Sequence, residues 1–467
     1  MASHGARTVW RSAAVLFCAA LAATCGANLP SRTPPWDSPG LIGSGGWPYA
    51  TTPLDPEVAA GGSYIPGTSV LRLRDGGVRF VPLGADRPIT VPAGDPRAGE
   101  AVAGDRDWLA AGRVPGTTPA ERAMAGRALL DLRLLTRPNG ATTASWYQSW
   151  NYVWPRDAAF AAAAFAVTGH TAEARRVLRF LASVQEDSGL WAARYGPDGT
   201  AVTDGRRVQL DGLGWVLWAS WFFQAAAPAG AAELPELWPM VRRAADRLAA
   251  VLDADGLPPP SSDYWERDPS AEQDPRRPTL GVAAPVLTGL RGAAAIATGR
   301  GRAGARESRR WHVAARRLAA AVDRVFAPYG YPRSPLPNGN MDASPTFLAP
   351  PFAPADPRVT AAVRVAADRL RLPNGGVLPG DNWPGDRTVA WTPEVAMFAL
   401  AEAARGDIDG ARARLDWLAA HRTTLGALPE KVDGRGRPVS VAPLGWTAAL
   451  VTLAQSAAEA PLPIPPP

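Results

Sequence analysis

Thr118-Pro119-Ala120-Glu121-Arg122-Ala123-Met124-Ala125-Gly126-Arg127-Ala128-Leu129-Leu130-Asp131-Leu132-Arg133-Leu134-Leu135 is the stretch on which the fold turns. Thr118 and Glu121 make a capping box, and Pro119 stands at the first helical position, where its missing N–H would have had no partner anyway. Met124, Ala128, Leu132 and Leu135 then return at helical spacing, which predicts an amphipathic helix with one apolar face. The same spacing recurs in Ala174, Val177, Leu178, Leu181 and Val184 after Thr171. It recurs again in Trp311, Ala314, Leu318, Val322 and Val325, and in Ala411, Leu415 and Leu418. Roughly eleven or twelve such segments run on to about Ala457. They alternate with loops, several of them long and rich in Trp or Pro, without an exact repeat. Paired helices over about 340 residues suit a closed ring of helical hairpins; a solenoid or a large bundle fits the same periodicity.

Upstream the pattern changes. Val70-Leu71-Arg72-Leu73 and Val78-Arg79-Phe80-Val81 flank Asp75-Gly76-Gly77, which predicts a hairpin, and Ile89-Thr90-Val91 offers a further strand. The expected organisation is therefore a small β-rich region over 63–116 and an all-α domain over 117–458. Residues 28–62 read as a Pro- and Gly-rich linker, and the Pro-rich tail 459–467 is expected to be disordered. The first 27 residues read as an export signal: Arg7 and Arg11, an apolar run from about Ser12 to Ala23, then small residues. Both cysteines, Cys18 and Cys25, lie in or beside that run, so the mature part has no thiol chemistry. Leu21-Ala22-Ala23-Thr24-Cys25-Gly26 is a loose lipobox. The expectation is a secreted protein, cleaved near Ala27 or held at the cell surface by a lipid on Cys25.

Composition narrows the function. There are 49 Lys and Arg against 43 Asp and Glu, and the one lysine is Lys431. The basic residues are interspersed with acids, which argues against a nucleic-acid surface. The four histidines, His4, His170, His312 and His421, have no metal-ligand spacing, and no phosphate loop or serine nucleophile elbow appears. No metal or cofactor is expected. Tryptophan is abundant, 18 residues against 11 Phe and 8 Tyr. Such residues fill cores, and they also make flat platforms on which sugar rings stack.

Three loops carry candidate chemistry. Tyr152-Val153-Trp154-Pro155-Arg156-Asp157 opens an Ala-rich helix; Asp157 reads either as a helix-start residue or, with Arg156, as a clamp on vicinal hydroxyls beside the Trp154 ring. In Ser261-Ser262-Asp263-Tyr264-Trp265-Glu266 a carboxyl stands next to aromatic rings, a setting that favours a general acid. Leu428-Pro429-Glu430-Lys431-Val432, followed by Pro443-Leu444-Gly445-Trp446, offers a second carboxylate. Glycoside hydrolysis needs such a pair, one protonated and one ionised.

In this order, with Gln209-Leu210-Asp211-Gly212 and Met341-Asp342-Ala343-Ser344, the phrases resemble glycoside hydrolase family 15, the glucoamylase family, from about Thr118 to Ala457. The resemblance implies a six-hairpin (α/α)6 barrel, with Glu266 as general acid and Glu430 as general base of an inverting exo-hydrolase acting on α-glucans or α-glucosides. It implies that Trp154, Arg156 and Asp157 hold the terminal sugar, with Asp263, Trp265 and Trp446 around it and Gln209 and Asp211 in the same wall. Three features depart from the family. Arg267 follows Glu266 where a second Glu is frequent. Gly376-Val377-Leu378-Pro379-Gly380-Asp381 lacks the Arg of the family's Arg-Tyr pair. The N-terminal β region is too short for the β-sandwich of bacterial members. The second departure leaves trehalose or an α-1,6-glucan open as substrate; a catalytically inactive carbohydrate-binding relative is the reading from another class.

Overall fold

A computed structural model describes residues 61–467 except 84, 86 and 228–234. The export signal, Cys25 and all but the last two residues of the linker lie outside the described residues. Among the described residues four short strands come first, β1 (Ser63–Tyr64), β2 (Leu71–Arg72), β3 (Val78–Phe80) and β4 (Ile89–Val91), in an antiparallel meander. The hairpin falls where the glycines predict. Gly76 adopts φ +84°, and the Gly77 amide is bound by the Asp75 carboxylate at 2.8 Å. Val70, Val78, Phe80 and Val91 pack on Ala98 in a small core of their own.

Ala98 belongs to a helix, α1 (Pro96–Ala111), so the region 63–116 is not β throughout. Its start was legible, with Asp95 capping and Pro96 at the first position. Its interior was not, because Ala98 is its one buried residue and the apolar stripe is nearly absent. Trp108 of α1 stacks on His170 with ring centroids 3.8 Å apart. Buried Arg127 donates to Thr68 O and Ser69 Oγ, both at 2.8 Å, tying the sheet to the helices.

Among the described residues eleven helices follow: α2 (Pro119–Leu135), α3 (Pro155–Val167), α4 (Thr171–Ser183), α5 (Leu210–Ala226), α6 (Trp238–Val251), α7 (Leu280–Gly299), α8 (Ala305–Val325), α9 (Pro357–Arg369), α10 (Thr392–Ala404), α11 (Ile408–Ala420) and α12 (Gly445–Glu459). The capping box at Thr118 forms as read. The helices divide into two kinds that alternate along the chain. α3, α5, α7, α10 and α12 are buried nearly all round, whereas α4, α6, α8 and α9 bury one stripe and expose the other. A helix apolar on every side must lie inside a layer of amphipathic ones. α3 packs on α5, α5 on α7, and α7 on a 3₁₀ segment, Ser344–Leu348, which also touches α10; α10 packs on α12 and α12 on α3. The result is a helical barrel with one inner position filled by a 3₁₀ turn.

The α5–α7 contact shows why glycine is required there. A Cβ on Gly214 would stand 2.2 Å from the Pro285 carbonyl oxygen, and one on Gly289 would stand 2.6 Å from the Gly214 Cα. These two helices meet backbone to backbone. The interior is closed by Phe160, Trp215, Trp218, Phe347 and Phe352, in edge-to-face and tilted contacts with centroids 4.9–6.3 Å apart. Part of the tryptophan surplus is therefore core. The tail also departs from expectation. Glu459 closes α12 and the rest has no regular structure, but Leu462 is buried in the main core, so one apolar side chain among the prolines pins it down.

Candidate active site

The phrases singled out in the sequence gather at the N-terminal ends of the inner helices. Trp154 is the N-cap of α3, Gln209 of α5, Trp391 of α10 and Leu444 of α12. Backbone N–H groups and the positive ends of helix dipoles thus converge where Asp157, Asp211 and Glu394 occupy first turns.

Arg156 is the hub of one half. Its Nη1 donates to Gln209 Oε1 at 3.1 Å and to Asp211 Oδ2 at 3.3 Å. Its Nη2 lies 3.9 Å from Glu266 Oε1, and its guanidinium stands 4.9 Å from the Trp446 ring centroid. Burial works against this charge, but Asp157, Asp211 and Glu266 outweigh it and hold the guanidinium above its ordinary value. Burial, opposed by Arg156, pushes Asp157 up to about 6 and Asp211 up to about 7. Glu266 accepts from the Trp154 indole N–H on Oε1 and from Arg206 Nε at 3.0 Å on Oε2. Its backbone is left-handed, φ +56°, a conformation that costs about 1–3 kcal/mol in a non-glycine residue and gathers at functional sites.

Glu430 is the hub of the other half. Trp150 Nε1 donates to Oε1 at 3.1 Å, Ser440 Oγ donates to Oε2, and Lys431 Nζ lies 3.4 Å from Oε2. Main-chain bonds fix its position: its amide to Val441 O at 2.8 Å, and the Thr392 amide to its carbonyl at 3.0 Å. Ser440, like Glu266, is left-handed, at φ +71°. Trp150 and Trp154 belong to one short segment, so a single loop donates an indole N–H to each carboxylate.

Asp263 is placed differently from the expectation of a sugar ligand. Its carboxylate accepts from the Trp265 amide at 2.9 Å and from Thr279 Oγ1 at 2.6 Å, and it pairs with Arg333 at 2.9 Å. Both oxygens are taken by protein groups, and its carbonyl accepts the Glu266 amide at 2.7 Å. Asp263 thus shapes the loop that bears Glu266. Trp265 lies under Arg333, whose guanidinium is 3.8 Å from the ring centroid. The remaining predicted residues, Trp154, Arg156, Asp157, Gln209, Asp211 and Trp446, cluster with Glu266.

Four contributors escaped the sequence reading. Trp150 carried no signal beyond the tryptophan surplus. Arg206 lies in a polar loop like many others. Arg333, 1% exposed, binds Asp263, Glu272 and Asp342 at once, and nothing in Tyr331-Pro332-Arg333-Ser334 announces it. Glu394, in the first turn of α10, resembles an ordinary helix-start carboxylate in sequence. In the fold it is buried, and burial, with Glu430 adding repulsion, pushes it up to about 8.

Arg156 Nε, Asp157 Oδ2, Trp265 Nε1, Trp446 Nε1 and Glu394 Oε2 are buried without a hydrogen-bond partner. Arg156 Nε and Asp157 Oδ2 stand 3.2 Å apart as an ion pair, but they are not aligned as a hydrogen bond. Unpartnered donors and acceptors of both kinds at this site suit a ligand rich in hydroxyls, which can accept from one and donate to the other. A cleft of about 710 Å³ elsewhere, between the sheet and α2, is lined by residues such as Phe80, Arg97, Asp105 and Arg133 and contains none of these groups.

A helical barrel with two carboxylates set among arginine, amide and indole groups at one end is the architecture of a class of glycoside hydrolases. Residues 119–390 match the model of glycosyl hydrolases family 15, and the chain belongs to that family. The matched range includes Glu266 and ends before Glu430. Among solved structures, a glycosidase in its wild-type form is 21% identical with TM-score 0.62, covering 74% of this chain and 99% of that one. A bacterial glucoamylase complexed with acarbose is 17% identical with TM-score 0.63, covering 79% of this chain and 60% of that one. A glucoamylase from Saccharomycopsis fibuligera is 12% identical with TM-score 0.56, covering 74% and 97%. At these identities the likeness speaks to the fold. No curated protein matches the chain.

Proposed function

We propose that the protein is an exo-acting, inverting hydrolase that releases glucose from the non-reducing ends of α-glucans or α-glucosides. Glu266 is the general acid, Glu430 the general base. The observation that carries this reading is the pair of indole N–H groups, Trp154 to Glu266 and Trp150 to Glu430, which hold two carboxylates from distant loops on one short segment. The ring of inner-helix contacts supports the six-hairpin barrel, whose loops would form the pocket. Glu266 protonates the glycosidic oxygen as the bond breaks. Glu430 takes a proton from a water that attacks the anomeric carbon from the opposite face. Arg156 and Asp157 grip the hydroxyls of the terminal sugar, with Gln209 and buried Asp211 in the same wall holding the guanidinium in place. The fork of Arg156 donates while carboxylates accept, and Trp446 covers a ring face.

Inversion requires the two carboxyls to stand roughly 6.5–9.5 Å apart, with room for a water; retention brings them to roughly 5–5.5 Å. The first sugar released from an α-linked substrate should therefore be the β-anomer, read by proton NMR before mutarotation. Early α-glucose would mean retention and remove the base role from Glu430. A panel of maltose, trehalose, isomaltose and soluble starch fixes the linkage. The missing Arg in Gly376–Asp381 keeps trehalose and α-1,6-linked glucans as the second reading. Export is part of the proposal: the mature chain should begin near Asn28, or at Cys25 if a lipid is attached, as mass spectrometry of the native N-terminus would show.

A further inference from the structure

The loop that lacks the family's Arg carries something else. A Cβ on Gly380 would lie 2.4 Å from Trp265 Cζ2, so this stretch rests directly on the Trp265 ring, an approach open to glycine alone. Asp381 anchors it: its amide donates to Met341 O at 2.8 Å, and its carboxylate takes the Met341 amide at 2.8 Å and Arg369 at 2.5 Å. The amide and one carboxylate oxygen, Oδ2, of the loop's acid are thus engaged in building the loop. Two residues on, half-buried Trp383 meets Trp265 edge to face, with centroids 5.2 Å apart at 87°. It meets Trp391 in the same way, 5.0 Å apart at 75°.

These neighbours locate Trp383. Trp265 immediately precedes Glu266. Trp391 lies in a second antiparallel sheet, made of Ala390–Trp391, Lys431–Val432 and Pro438–Val439, where it pairs with Lys431, whose Nζ stands 4.1 Å over its ring and which immediately follows Glu430. Trp383 therefore bridges the neighbour of one carboxylate and, in Trp391, the strand partner of the other's neighbour. Each edge-to-face pair sets the edge of one ring against one face of the other, and Lys431 stands over one face of Trp391, yet both Trp383 and Trp391 remain half-exposed, and an indole face attracts the C–H face of a pyranose.

We infer that Trp383 is a specificity-determining residue: with Trp391 it forms an aromatic wall that receives the leaving group as a neutral pyranose ring by stacking, where a guanidinium fork would have bound it by hydrogen bonds. This rests on the reading that Glu266 and Glu430 flank the scissile bond. A leaving group without a ring cannot use such a wall, which supplies the test. The full chain and its Trp383→Ala and Trp383→Phe variants are assayed on the disaccharide that the wild type cleaves best and on α-glucosyl fluoride, whose leaving group is a bare ion. The ratio of kcat/KM for disaccharide over fluoride should fall about tenfold in Trp383→Ala, mostly through KM, and less in Trp383→Phe. Because it is a ratio, partial misfolding leaves it unmoved. An unchanged ratio overturns the inference and makes Trp383 a purely structural clamp. Wild-type protein that cleaves neither substrate overturns the glucosidase reading itself, and this inference with it.

Discussion

Replacing Arg333 with Met should destabilise the barrel more than any surface change, and the deficit should depend on pH. Arg333 lies 1% exposed among Asp263, Glu272 and Asp342, at 2.9, 2.7 and 2.8 Å. Removing one partner of a buried ion pair costs about 3–5 kcal/mol, because the other charge is left without compensation. Here three carboxylates lose the same cation, so that range is a floor. For a large domain this corresponds to a fall in unfolding temperature of at least about 5 °C at pH 7. Burial already raises Asp342 above its ordinary value, and Arg333 opposes that rise. Without Arg333 it climbs further, so the unfolded chain gives up this proton at a lower pH than the folded one. Stability then falls as pH rises, and the deficit of Arg333→Met should be smaller near pH 5 than at pH 7. Thermal unfolding of both proteins at the two pH values measures it. A variant within about 1 °C of wild type at pH 7, or a deficit that grows on acidification, would refute the reasoning. Turnover should fall as well, since Arg333 covers Trp265 and braces the Asp263 carboxylate that shapes the Glu266 loop.

The carboxylate roles separate on two substrates. Glu266→Gln should lower disaccharide turnover at least about a hundredfold yet spare much of the hydrolysis of α-glucosyl fluoride, whose leaving group needs no proton; Glu430→Gln should lose both. Equal losses on both substrates for Glu266→Gln would remove its acid role. Glu394→Gln keeps the shape and deletes the titration. Glu394 is raised to about 8, while the unfolded value lies near about 4.3, so its contribution is whole below that lower value and is lost as pH rises towards 8. The Gln variant should accordingly gain unfolding temperature relative to wild type between pH 5 and pH 8; a constant difference between the two would count against a protonated Glu394.

Much of this was legible in the sequence because helices and loops write different signals. The capping box at Thr118 and the stripes of α4 and α8 announce amphipathic helices directly. Inner helices such as Leu210–Ala226 are apolar all round, and their burial is legible even though their partners are not. α1 escaped because it turns only Ala98 to a core. Within the site, residues adjacent to a telling neighbour were found: Glu266 beside Trp265, and Arg156 beside Trp154. Arg333 and Trp150 were not, since each acts on a residue far along the chain and looks ordinary among its own neighbours. Asp263 stood in the right phrase but was given the wrong partner, because sequence order places it next to Glu266 without saying which way its side chain turns.

The segment from Trp150 to Trp154 acts as a ruler. Four residues of chain span at most about 13 Å even when fully extended, and both ends are tied to glutamates that come from opposite parts of the sequence. Any motion of this loop is felt by both carboxylates together. A local length and two indole bonds thus add a direct link between the pair to the main-chain bonds that hold each glutamate in its own loop. A deletion of one residue here would shift one indole donor against the other, and with it the geometry of the pair.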